Sequence, residues 1–246
     1  LSLDSSPHIF YTRVQKKGEA LSTPSSRRRE KYVFISFEGI EGCGKTTQVQ
    51  RLAKHLAEID IPVVVTREPG GTPVGEEIRA VLLDAGNKHL VPLAELFLYA
   101  ADRAQHVQDV VRPALAQGKW VLCDRYHDAT TVYQGFSRGI DMNLVHLLNE
   151  TATGGLVPET TFLLDCPVEV GLRRAVDRNR EMALEDQGRF ELEKRAFHES
   201  VRKGYLKLSA AEKHRFILID ATLDQEKMEA AIFSHVRLFL DQEKNS

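Results

Sequence analysis

Gly39, Ile40, Glu41, Gly42, Cys43, Gly44, Lys45 and Thr46 spell GxxxxGK[ST], and a second hydroxyl residue, Thr47, follows directly. The segment leaves the apolar run YVFISFE and enters a helix-like stretch. Glycines in such a turn let successive main-chain N–H groups point inward at phosphate oxygens, and the positive end of the next helix adds attraction for the anion. A lysine at position 45 can neutralise β- and γ-phosphates, and the Thr46 hydroxyl can coordinate Mg²⁺. The chemistry implied is the binding of a nucleoside triphosphate, ATP being the common donor, with magnesium.

Nucleotide binding alone leaves switches, motors and kinases open. The guanine-reading pattern NKxD of GTPases is absent. Motors commonly need a pair of acids at the end of an apolar strand, whereas Asp124, which could serve magnesium, is followed by Arg125. A small kinase needs a second pocket and mobile arginines. Candidates for that pocket are Arg67 and Glu68 in REPGGT at the exit of IPVVVT, the segment YAADRAQH from Tyr99 to His106, and DRYHDATTVYQG from Asp124 to Gly135. The stretch RRAVDRNREMALEDQGR carries Arg173, Arg174, Arg178, Arg180 and Arg189, and its polar residues suit a lid that moves.

These groups must be held by a scaffold. Short β-branched or aromatic runs (YVFISFE, IPVVVT, KWVLCD, TFLLD, RFILID) alternate with longer helical patterns, which reads as an α/β fold: a parallel five-stranded sheet flanked by helices in three layers. Helices are expected at about 45–58, 74–84, 92–116, 141–153, 168–179, 190–211 and 224–240. Residues 1–30 (SSPH, STPSS, RRRE) read as a flexible N-terminal extension and 31–246 as one catalytic domain; the start on Leu1 suggests a truncated beginning. Lys and Arg total 33 against 35 Asp and Glu, so no nucleic-acid polymer is expected as partner. No apolar run reaches the roughly 18 residues of a membrane span. The 3 scattered cysteines fit a reducing cytoplasm better than a disulfide framework.

Taken in order, GIEGCGKTT, REPGGT, AADRAQH, DRYHDATTVYQG and GLRRA closely resemble the thymidylate kinase branch of the P-loop nucleoside monophosphate kinases, from Tyr32 to about Leu240. The resemblance implies a P-loop NTPase fold with an arginine-bearing lid, and transfer of phosphate from ATP to dTMP. It implies that Arg67 and Arg125 grip the dTMP phosphate, a task suited to a planar guanidinium. Glu41 would sit near the deoxyribose 3′-hydroxyl and the acceptor phosphate, Tyr99 would stack on thymine, and Arg103 and Gln134 would hydrogen-bond the base edge. Tyr133 would crowd the sugar 2′ position, with Thr130 nearby and Arg79 a weaker member of the same pocket. Lys45, Glu41, Arg125 and Arg178 form the expected catalytic set. Ala129 and Gly188 depart from the family's usual serine and aspartate. One family branch carries an arginine inside the P-loop, where this chain has Gly42, so the charge must come from the lid; Arg178 aligns best and Arg180 next.

The resemblance also implies a homodimer, with 92–116 and 141–153 as candidate faces. Two other readings stay open: a non-catalytic nucleotide-binding regulator, and a kinase acting on another nucleotide or on a nucleoside. The arginine pair Arg67 and Arg125 favours a monophosphate acceptor.

Overall fold

A computed structural model describes residues 33–181 and 189–244. The expectation for residues 1–30, and that for Gly188, lie outside the described residues. The strands are β1 (Phe34–Glu38), β2 (Val63–Arg67), β3 (Trp120–Asp124), β4 (Thr160–Asp165) and β5 (Phe216–Asp220). They form one parallel sheet in the order β2-β3-β1-β4-β5. The central strand β1 is buried at every position, whereas the edge strands β2 and β5 expose Val65 and Leu218. Burial on both faces is what the near-continuous apolar runs require.

Alternation along the strands sorts side chains between two helical layers. Ile35, Phe37 and Leu122 join one cluster with Leu52 and Leu56 of α1 (Lys45–Glu58) and with Ile232 and Val236 of α9 (Gln225–Lys244). Phe34, Val121 and Cys123 instead meet Val107, Val111 and Ala114. Those three belong to one continuous helical run: α3 (Pro92–His106), a π-helical turn (Val107–Val111) and α4 (Arg112–Ala116). The remaining helices are α2 (Pro73–Leu83), α5 (His127–Thr130), α6 (Met142–Thr153), α7 (Val168–Glu181) and α8 (Arg195–Ala211), with a second π-helical turn at Thr131–Ser137.

One helix is shorter than the sequence pattern indicates. The expected 190–211 begins only at Arg195, because Arg189 and Phe190 are held elsewhere. The Phe190 ring packs edge-on against Tyr133 at 5.5 Å, and Arg189 Nη2 lies 2.7 Å from Glu95 Oε2. These long-range contacts outweigh continuation of the helix.

Candidate active site

Sheet register gathers the loops. Arg67 at the end of β2 lies beside Asp124 at the end of β3, and Asp124 beside Phe37 of β1. The turns after all three strands therefore leave one edge of the sheet, the usual place for a ligand in a parallel α/β fold. After β1 the chain turns through Gly39–Gly44 into α1, whose first residue is Lys45. Gly42 has φ +69°, and a Cβ there would overlap the carbonyl oxygen of Gly171 and come within 2.9 Å of the Ala175 nitrogen. The loop thus lies directly on the backbone of α7, and no side chain fits at position 42, an arginine least of all. Lys45 Nζ donates to the carbonyls of Ile40 (2.9 Å) and Gly39 (3.2 Å). Thr46 Oγ1 donates to Asp124 Oδ2.

A single cavity of about 740 Å³ runs from this loop to the second and third turns. Lys45 and Thr46 line it, together with Arg67, Arg79 and Arg125 and with Tyr99, Tyr133 and Gln134. Arg125 is a non-glycine residue at φ +69°, a conformation that persists only where surrounding contacts hold it. Its Nη2 donates to Glu41 Oε1 and its Nη1 to the Tyr205 hydroxyl, each at 3.1 Å, and its guanidinium lies over the Tyr133 ring at 5.1 Å. Arg67 Nη2 donates to both oxygens of Glu76, at 3.0 and 2.8 Å. Arg79 Nη1 donates to the Pro69 carbonyl at 2.8 Å. Burial and the nearby Arg67 charge lower the Arg79 pKa, a sign of cations crowded around one spot that an anion would relieve.

Glu41 Oε1 also accepts from the Tyr133 hydroxyl at 2.6 Å. Burial pushes the Glu41 pKa up, but His198, Arg125, Lys45 and Tyr133 together hold it well below the usual carboxylate range. Its second oxygen lies 3.4 Å from His198 Nδ1 without hydrogen-bond alignment. Glu41 is therefore a fixed anion that orients Arg125 and Tyr133.

At the cavity wall, Glu68 is buried and accepts from Arg103 Nε and His106 Nδ1, both at 2.8 Å. Arg103, 1% exposed, also donates to Asn149 Oδ1, Thr130 Oγ1 and the Tyr126 carbonyl. Asp102 Oδ1 accepts from the Gly70 nitrogen at 2.9 Å and so ties α3 to the REPGG turn. Burial and the Glu68 charge push the Asp102 carboxyl up to about 7. Burial likewise raises the Tyr99 phenol, which therefore stays neutral. On α7, Arg178 lines the cavity, half-exposed, donating to Asn179 Oδ1 at 2.8 Å and to Glu191 Oε1 at 3.3 Å. Arg180 does not line it.

The sequence has a match among known proteins: the family model described as thymidylate kinase covers residues 37–232. This chain belongs to the thymidylate kinase family. The thymidylate kinase of Geotalea uraniireducens (strain Rf4) is 57% identical over 203 residues, 82% of this chain and 95% of that protein. That of Geobacter sulfurreducens (strain ATCC 51573 / DSM 12127 / PCA) is 55% identical over 199 residues, 81% of this chain and 93% of that one. The crystal structure of thymidylate kinase from Ehrlichia chaffeensis superposes with a TM-score of 0.66 at 32% identity, covering 84% of this chain and 98% of that chain.

Most thymidylate kinase residues expected from the sequence meet in the cavity: Glu41, Gly42, Lys45, Thr46, Thr47, Arg67, Glu68, Arg79, Tyr99, Arg103, Arg125, Tyr133, Gln134 and Arg178. Thr130 stands behind it, 1% exposed, and its neighbour Ala129 is on the wall instead. Gly39, Ile40, Cys43 and Gly44 shape the loop from beneath, Ile40 and Cys43 being buried. Glu95, Asn149, Tyr205 and His198 escaped the sequence reading, although all four are buried around these groups. A signal existed for one of them: Glu95, Tyr99, Asp102, Arg103 and His106 recur at helical spacing, a polar stripe on a face of α3 that is buried.

Proposed function

We infer that this chain transfers the γ-phosphoryl group of ATP to the phosphate of dTMP, giving dTDP and ADP. Family membership carries the reaction, and the observation that supports its geometry is the single cavity joining Lys45 and Thr46 to Arg67, Arg79 and Arg125. The phosphate loop takes the ATP phosphates on its N–H groups and on Lys45, whose ammonium already stands at the loop. The dTMP phosphate takes donors from Arg67, Arg79 and Arg125, replacing the contacts that Arg67 makes with Glu76. The two nucleotides then meet head to head, so positioning and charge compensation accelerate transfer without a covalent enzyme intermediate.

Glu41 holds Arg125 and Tyr133 and stands within reach of the sugar. Tyr99 stacks on thymine, Gln134 reads its edge, and Arg103 with Glu68 and Thr130 backs that part of the pocket. Arg178 supplies the charge that Gly42 cannot. For Mg²⁺, the adjacent hydroxyl of Thr46 and carboxylate of Asp124 are hard oxygen donors of the kind the ion takes alongside phosphate and water, so these residues fit it. Bound there, the ion would neutralise charge on the β- and γ-phosphates.

Exposed apolar residues Val91, Leu93 and Phe97 around α3 support a second copy of the chain as partner. Cys43, Cys123 and Cys166, free and buried, support a cytoplasmic setting. No helix among the described residues is long and apolar enough to cross a membrane. A coupled assay for ADP release with dTMP, dUMP, dCMP or no acceptor tests the assignment. The expected result is ADP formation that depends on dTMP; equal release without acceptor would overturn it.

A further inference from the structure

Glu95 lies on α3, shut off from solvent, one helical turn before Tyr99. Its Oε1 accepts from Gln134 Nε2 at 2.7 Å and from Arg138 Nε at 3.3 Å. Its Oε2 accepts from Arg138 Nη2 at 3.3 Å and lies 2.7 Å from Arg189 Nη2. The two ends of a glutamine amide have nearly the same shape, so only their partners tell them apart. A carboxylate set between two guanidinium groups accepts hydrogen bonds and gives none. Gln134 must therefore turn its NH₂ toward Glu95. Its Oε1 takes no hydrogen bond among the described residues, and the side chain lines the cavity beside Tyr99.

We propose that Glu95 is a positioning residue that fixes which end of the Gln134 amide faces the ligand, so that the cavity offers an acceptor and selects pyrimidines carrying an N–H at that edge. Thymine and uracil have a hydrogen on N3, whereas cytosine has a lone pair there. Set against a carbonyl oxygen that cannot turn away, that lone pair leaves two acceptors facing each other in a dry site. Arg138 and Arg189 complete the device by holding Glu95 itself, and Arg189 ties it to the chain just before α8. The inference rests on the placement of the acceptor base beside Tyr99 and Gln134, and the test separates the two.

The test compares kcat/KM for dTMP with that for 5-methyl-dCMP, which keeps the ring shape and the methyl group but carries a lone pair at N3, in the full chain. The wild type is expected to lose about tenfold to a hundredfold on the analogue, the cost of leaving a buried acceptor unpaired. In Glu95→Gln the neighbouring amide can both donate and accept, Gln134 can turn over, and the loss should shrink to about threefold or less while KM for ATP stays put. Glu95→Asp keeps an acceptor only and should retain most of the discrimination. A merely structural ion pair would weaken both nucleotides alike, and a ratio of two substrates on one protein is insensitive to the folded fraction. An unchanged ratio in Glu95→Gln, with Gln134→Leu abolishing it, overturns the role of Glu95. A wild-type ratio that survives in Gln134→Leu instead overturns the placement of the base. If Glu95→Gln does not fold, Glu95→Asp decides alone: a ratio near one there contradicts the proposal.

Discussion

Replacing Gly42 with alanine tests how the phosphate loop is seated. At φ +69° an L-residue costs roughly 1–2 kcal/mol. The added methyl would also overlap the Gly171 carbonyl and press on the Ala175 nitrogen, and both are helix backbone that cannot rotate away, so a further ~1–3 kcal/mol of overpacking follows. The expected loss in urea denaturation is about 2–5 kcal/mol, the sum of those two costs. Turnover should fall at least about 100-fold, because the loop can relieve the clash only by moving and such a shift spoils alignment of the phosphates. Gly171→Ala separates the two costs. Its backbone is helical, so alanine gains ~1 kcal/mol of helix propensity, yet its Cβ would stand 2.5 Å from the Glu41 carbonyl. A net loss there isolates the packing. Gly42→Ala with stability within about 0.5 kcal/mol of wild type, the ordinary range for a harmless surface change, and with undiminished turnover, would refute the reasoning.

Three other outcomes follow from the same geometry. Arg178→Ala should lower kcat about 10³-fold at saturating substrates, as loss of a transition-state arginine does, and Arg180→Ala far less; equal effects would remove the distinction drawn from the cavity wall. Gly42→Arg should not rescue Arg178→Ala, since the loop has no room for the side chain; recovered kcat would contradict this. Asp102 makes stability depend on pH. Its carboxyl is raised in the fold from 3.8 to about 7, so its contribution is complete below pH 3.8, declines as pH rises toward 7, and is gone above it. Asp102→Asn should flatten the fall in melting temperature across that window, and a slope identical to wild type would dismiss the effect.

The phosphate loop could be read from sequence because its chemistry sits in contiguous main chain: glycine spacing, then Lys45 and Thr46, then a helix with buried Val49, Leu52, Ala53 and Leu56. The strands were equally plain, since burial on both faces leaves unbroken apolar runs. Residues whose meaning depends on a distant partner were harder. Arg103 reads by sequence as a base contact or a surface charge, and only the fold brings Glu68, Asn149 and Thr130 around it. Phe190 continues a helical pattern, yet its ring is claimed by Tyr133 and Phe197. The π-helical turns at Val107–Val111 and Thr131–Ser137 leave no periodic mark in so short a span. Glu95 looks like an ordinary acid in the first turn of α3, and only the fold brings Gln134, Arg138 and Arg189 to it.

The most direct measurement is a crystal structure with a thymidine–adenosine bisubstrate polyphosphate. We expect thymine against Tyr99 and Gln134, the phosphate chain passing from Arg125 to Lys45, and Arg67 released from Glu76. Thymine bound away from Tyr99 and Gln134, or Arg67, Arg79 and Arg125 left in solvent while the ligand is held, would contradict the account.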